Sequence, residues 1–390
     1  MNQLLLDGRS LEGIVSSIIR RNDLHLTHSR MDWERMYRMA DYHKVANIVH
    51  LGILGYGDAI PAKWKERFFT RYQEALLYGA GYQEAVNEML TWMDTRNISC
   101  TVLCSESMRS LYAVSEMADC TPLMICLDEK NYSLVRGYLI DLGYETEQAY
   151  EGEGERLARP QGICITLYYR LPFQTAKYVK GMQRLLESAS LKEPYRYVRM
   201  LPAENELVYR MAAAAYHYVT DELTMREVLD LQLFHRNCRD TVRMDTVVKR
   251  LAEFQIDELA EKILRLSYMW FGDRADTYYE NLPEDMTPYD VLEERLLTKG
   301  MVNHETDVQA LKLQKMIQKE LDKVKREERI RQFREKVKEK WEKALRKVRW
   351  CFPDYHYMAS IYPMVEKIPP LLPVFWIIRG VRLLTRAIKG

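Results

Sequence analysis

The sequence predicts an α+β fold, a small mixed β-sheet flanked by N-terminal and C-terminal helical regions. Three observations carry that expectation. Apolar residues recur at helical spacing through residues 1–97. Short β-leaning runs alternate with helical segments through 98–170. Helical spacing returns from residue 172. At 390 residues the chain exceeds the usual single-domain size, so several packed units are expected: 1–97, 98–171, 172–300 and 301–390. Hydrophobic residues make up 47% and charged residues 29%. That balance excludes a mainly disordered chain. Lys and Arg number 57 against 56 Asp and Glu, so the net charge of +1 gives no global pull toward nucleic acid or membrane.

The N-terminal helices come first. Leu11, Ile14, Ile18 and Ile19 mark one face. Asp32 is a candidate N-cap for a second helix that buries Trp33, Met36, Met39 and Ala40. LGYGDAIPAKW reads as a loop. One long helical pattern then runs from Lys63 to Arg96, with a break at Gly79 and Gly81.

From residue 98 the character changes. ISCTVLCS reads as a strand, Glu106 to Met117 as a helix and TPLMICL as a second, buried strand. Asp128 caps the next helix, with Leu134, Val135, Leu139 and Leu142 inside it and Gly143 ending it. YETEQAY reads as a third strand, EGEGERLARPQG as a polar hairpin or loop, and GICITLYYRL as a fourth strand. Beyond 172 the expectation is helical throughout, including LPAENELVYRMAAAAYHYVTD and TMREVLDLQLFHRNC.

Seven cysteines show no CxxC spacing. They read as reduced, buried thiols of a cytoplasmic protein, not as a zinc site. The start of the chain lacks the pattern of a secretory signal, and no run approaches the roughly 18 apolar residues needed to span a bilayer.

Residues 306–350 read as one long basic helix. A solvated face laced with i,i+4 pairs is the favoured reading, and a surface for an anionic partner is the other. Its charge is diluted by acids and has few interleaved aromatics, so no specific nucleic acid is expected. Residues 369–390 hold LLPVFWII and then Arg379, Arg382 and Arg386. A membrane-surface anchor is one reading. Packing of Phe375 and Trp376 against the body is favoured, because prolines interrupt a long amphipathic helix.

The strand-helix-strand block TVLCSESMRSLYAVSEMADCTPLMICL suggests a minimal nucleotidyltransferase core of the polymerase-β type. With DWERMYRMADYHKVANIV, the later LGY, TLYYRL, MREVLDLQLF and FPDYHYMASIYPMVEKIPPLLPVFWIIR, the chain resembles the bacterial uncharacterised nucleotidyltransferase family. The resemblance spans roughly residues 10 to 380. It implies two carboxylates spaced D-x-D on one strand and a third acid on a neighbour. Together they would hold two divalent ions that bind a nucleoside triphosphate.

The sequence departs from that pattern at every place. The first strand-helix turn, K-G in the family, reads Cys104-Ser105. The D-x-D positions fall on Pro122 and Met124, and the third acid falls on Thr166. Glu106, Asp119 and Asp128 are the displaced acids to weigh. Using Asp119 would shift an apolar strand by an odd number and turn it to the wrong face. Glu106 would repel phosphate, and Asp128 reads better as a cap. No P-loop, G-x-G-x-x-G or G-x-S-x-G is present. His25, His28, His43 and His50 read as ordinary histidines, and His217 reads as buried and hydrogen-bonded or facing the cleft.

The expectation is therefore a degenerate nucleotidyltransferase-fold protein, a pseudoenzyme with no confident catalytic residue and no metal ligand. It would act by binding a protein partner or ligand, with no cofactor. The alternatives are an active enzyme using magnesium and a nucleoside triphosphate, and a membrane-surface adaptor.

Overall fold

In the computed structural model, residues 3–22, 31–104, 106–119, 122–150, 153–159, 163–170, 176–272, 287–298 and 354–389 are described. The basic segment 306–350 lies outside them, as do Ser105, His25 and His28. The chain divides into two compact units, residues 1–320 and 321–390.

Seven strands make one mixed sheet in the first unit. They are β1 (Cys100–Val102), β2 (Leu123–Cys126), β3 (Glu145–Tyr150), β4 (Gly154–Ala158), β5 (Ile165–Tyr168), β6 (Ser190–Leu191) and β7 (Val198–Met200). Their order is β3-β4-β5-β2-β1-β7-β6. The pairs β2–β5 and β1–β7 are parallel, and the rest are antiparallel.

Strand alternation sorts the sheet into two faces. Leu123, Ile125, Leu157, Ile165 and Leu167 join one core with Val86, Leu90 and Met93 of α5 (Tyr82–Thr95) and Val135 and Leu139 of α6 (Glu129–Asp141). The intervening residues Met124, Arg156 and Thr166 face the other way, and that second face carries the cavity described below.

Local signals set several helix ends. Asp32 caps α2 (Trp33–Tyr42), accepting from the Glu34 and Arg35 amides at 3.1 Å. Asp128 caps α6, accepting from the Asn131 amide at 2.7 Å. Gly143 follows α6 with φ +84°, a conformation that glycine adopts at no steric cost. Leu134 is 52% exposed, however, on the helix's outer side instead of inside it.

Four expectations need correction. First, the helix expected from Glu106 to Met117 is two 3-10 segments, Glu106–Leu111 and Ser115–Ala118. Side chains satisfy the carbonyls around the second segment. Arg109 donates to the oxygens of Asp119 (2.6 Å) and Ser115 (3.0 Å), and Asn47 donates to those of Glu116 (2.7 Å) and Met117 (3.1 Å).

Second, of the two readings of the polar stretch, the hairpin holds and the loop does not: it contains a further strand, β4, paired on both sides. Its charge disguised it, but Glu155 is buried and satisfied by the Tyr132 hydroxyl (2.5 Å), Arg136 (2.5 Å) and Thr146 (2.6 Å). A Cβ on Gly154 would lie 1.9 Å from the Leu167 carbonyl oxygen, so only glycine permits that strand approach.

Third, the sheet continues past residue 171. β7 pairs with β1 and β6 pairs with β7, in runs too short to register as periodic. Fourth, Cys164 is disulfide-bonded, so the expectation of reduced thiols fails there. Cys100, Cys104, Cys126 and Cys238 are free.

The helical layer of the first unit includes α3 (Ala46–Ile53), α8 (Ala203–Val219) and α9 (Met225–Cys238). In the second unit an 18-residue helix spans Leu372–Lys389. The prolines do not interrupt it: Pro373 falls in its first turn, where no helical hydrogen bond is lost. The Phe375 ring packs on Tyr362 with centroids 5.0 Å apart. Among the described residues no helix is long and apolar enough to cross a membrane.

Candidate functional site

One rung of the sheet organises the site. Met124 pairs with Thr166, Thr166 with Arg156, and Arg156 with Gln148. Residues directly opposite one another share a face, so these four side chains form a row across β2, β5, β4 and β3. All four line a cavity of 460 Å³. Its opposite wall comes from α8 and α9, which contribute Tyr209, His217 and Glu227.

Arg226 of α9 locks the site together. It is buried, and its guanidinium donates to the Lys44 carbonyl (2.9 Å), the Tyr112 hydroxyl (3.0 Å), Asn47 Oδ1 (2.8 Å) and the Met117 carbonyl. One fixed fork of donors therefore joins α9 to the α2–α3 turn, to α3 and to the β1–β2 connection. Lys44 sits in that turn with φ +56°, a strained conformation for a lysine. Its carbonyl is pinned by Arg226 while its side chain lines the cavity. Burial, and next the nearby Arg156 guanidinium, push the Lys44 ammonium below its ordinary pKa.

His217 and Glu227 form a second polar unit. His217 Nδ1 donates to Glu227 Oε1 at 2.5 Å. Glu227 Oε2 accepts from the Thr224 amide (3.0 Å) and hydroxyl (2.9 Å), completing the capping box of α9. Burial alone would raise the Glu227 carboxyl, but the His217 ring, Lys44 and the Thr224 amide together hold it at about 2. Burial works against the His217 charge, but Glu227 and Glu222 together raise its pKa. Asp230 accepts from the Tyr112 hydroxyl, and burial raises its carboxyl. Burial pushes the Cys104 thiol up to about 12, which leaves it inert as a nucleophile.

Cys104, Pro122, Met124 and Thr166 all line this cavity, as does Asp119. Asp119 follows the second 3-10 segment with φ +51°. Asp128 caps α6 and is not among the lining residues. Glu106 opens the first 3-10 segment. Of the histidines, His43 accepts from the Met225 amide at 3.2 Å, and His50 packs against Phe69 and Tyr72.

A family model described as uncharacterised nucleotidyltransferase matches residues 29–272. The chain belongs to that family. No curated protein and no solved structure matches it. The fold of this nucleotidyltransferase-family chain agrees with a mixed-sheet core flanked by helices.

Two-metal chemistry at this rung would need carboxylates on it. Here the rung presents a thioether, a hydroxyl and a guanidinium. The Met124 sulfur accepts from the Tyr209 hydroxyl at 3.6 Å. Among the described residues no group of three or more His, Cys, Asp or Glu side chains could hold a metal ion. A divalent cation placed beside Thr166 would meet Arg156, a fixed positive charge. The donor set does not fit magnesium.

Sequence reasoning passed over Lys44, Arg156, Arg226 and the Glu227 partner of His217. The T-x-x-E of Thr224 and Glu227 is a readable capping box. Arg156 is hidden in a charged stretch that does not show the alternation of a strand.

Proposed function

We propose that this member of the family is a degenerate nucleotidyltransferase-fold protein whose inherited cleft binds a ligand without catalytic magnesium. The observation that supports this most directly is the register that sets Arg156 opposite Thr166. A lost carboxylate could be replaced from a neighbouring strand. A cation in the same row opposes any such replacement, because it repels the ion to be bound. The cleft itself is kept: 460 Å³ is the size of a small-molecule site, with convergent polar groups and a tyrosine-rich wall. Binding then acts on a partner protein or reports a ligand, with no group transfer.

The test is thermal unfolding of the full chain with ATP, CTP, GTP and UTP, each with and without Mg²⁺, beside a nucleotidyl-transfer assay. The expected result is no stabilisation that requires magnesium and no transfer. Magnesium-dependent stabilisation, with transfer abolished by Asp119→Asn, would establish the active-enzyme alternative.

A second reading concerns the C-terminal unit. Val374, Ile377 and Ile378 of the helix Leu372–Lys389 are 48%, 68% and 37% exposed, and the helix contains no acidic residue. That combination suits the surface of an anionic bilayer. Co-sedimentation with phosphatidylserine vesicles, weakening with salt and lost in Ile377→Asp, is the expected result. Equal recovery with neutral vesicles would remove this reading.

A further inference from the structure

The charges lining the cavity fall into two groups. Most are held by partners within the protein, and Asp119 also lines the cavity, its carbonyl taken by Arg109. Arg210 pairs with Glu206 at 2.6 Å. Arg226 is spent on Tyr112, Asn47 and the Lys44 and Met117 carbonyls. Glu227 is held by His217 and Thr224, and Asp230 by Tyr112. Glu222 accepts from the Thr220 hydroxyl at 3.2 Å.

Lys44 and Arg156 differ. Among the described residues Lys44 has no ion-pair partner. Among the described residues Arg156 pairs with Glu147 of the edge strand, its Nε 3.0 Å from a carboxylate that is 44% exposed. Both side chains line the cavity, one from a strained turn pinned by Arg226 and one from the central rung. Two like charges brought toward one space are costly, and an anion between them relieves the repulsion.

The rest of the lining narrows the ligand further. Tyr42, Tyr150, Tyr168 and Tyr209 supply aromatic surface, with the Tyr150 and Tyr168 rings stacked at 6.0 Å. Asp119, Glu222, Glu227 and Asp230 limit the negative charge that can enter. A compact headgroup suits this balance. A polyphosphate without metal would meet those acids.

We propose that the cavity binds a small aromatic oxyanion, a phosphate monoester or a carboxylate, between Lys44 and Arg156 and without a divalent metal. This rests on the reading that the cleft binds ligand without magnesium.

Calorimetric titration of the full chain with phenyl phosphate, benzoate and tyramine, in EDTA and again with Mg²⁺, tests it. One or both anions bind in EDTA, and affinity falls as salt rises. Tighter phenyl phosphate assigns a phosphate ligand, and tighter benzoate assigns a carboxylate. Lys44→Gln and Arg156→Gln each weaken binding at least about tenfold while melting as the parent does. Unchanged affinity in both variants, or no binding of either anion, overturns the proposal. Binding of tyramine alone would overturn the charge assignment and leave the metal-free ligand cleft standing. Anion binding seen only with magnesium would overturn the metal-free cleft itself.

Discussion

Arg156 and Thr166 stand directly opposite one another on β4 and β5, on the face that lines the cavity. Thr166 therefore has a guanidinium as its cross-strand neighbour. Introducing carboxylates alone should not restore a metal site. Met124→Asp/Thr166→Asp is expected to show no magnesium-dependent rise in melting temperature. The same double variant with Arg156→Ser is expected to show one. A magnesium response with Arg156 intact would show that the arginine is no barrier.

Arg226 should be the costliest single residue of the site to remove. Arg226→Met leaves the Lys44 and Met117 carbonyls and Asn47 Oδ1 without their buried donor. The expected loss is about 3–5 kcal/mol, read from urea unfolding. Arg226→Lys should recover little of it, because an ammonium cannot reproduce the planar fork. A loss under about 1 kcal/mol would mean that water replaces those bonds.

The His217–Glu227 pair gives stability a pH dependence on both sides. Glu227 is held at about 2, below its ordinary 4.5. Its contribution is complete above 4.5 and lost as pH falls toward 2. His217 is raised above 6.5, so its contribution is complete below 6.5 and lost as pH rises through the raised value. Glu227→Gln should return the His217 titration, followed by NMR, to 6.5 or below and flatten both limbs. An unchanged His217 titration would show that the two are uncoupled.

Cys104 should resist alkylation in the folded protein although it lines the cavity. With its thiol pushed up to about 12, the thiolate fraction at pH 8 is about one in ten thousand. Iodoacetamide labelling read by mass spectrometry should find it unmodified until urea unfolds the chain. Rapid labelling under native conditions would place the thiol in a polar, open environment.

Much of the site was legible from local pattern. The apolar frame of TPLMICL and ICITLYY assigns Leu123, Ile125, Ile165 and Leu167 to one face, and Met124 and Thr166 then follow on the other. The caps Asp32 and Asp128 and the turn at Gly143 are equally local, since each partner lies within a few residues.

The rest depended on partners far away in the chain. Glu155 makes β4 look like a loop until Tyr132 and Arg136 of α6 are found beside it. Arg109 and Arg226 hold the carbonyls of Ser115, Met117 and Asp119 around the second of the two 3-10 segments found where one helix is expected.

The sequence by itself determined the family frame, the alternation of the strands and the absence of carboxylates at Pro122, Met124 and Thr166. Only the tertiary structure decided which side chains surround those positions. Strand pairing set Arg156 beside Thr166, and Arg226 from α9 fixed the turn that aims Lys44 into the same cavity. Periodicity is a property of neighbours along the chain, whereas the charge of a cleft is summed over side chains that only folding brings together.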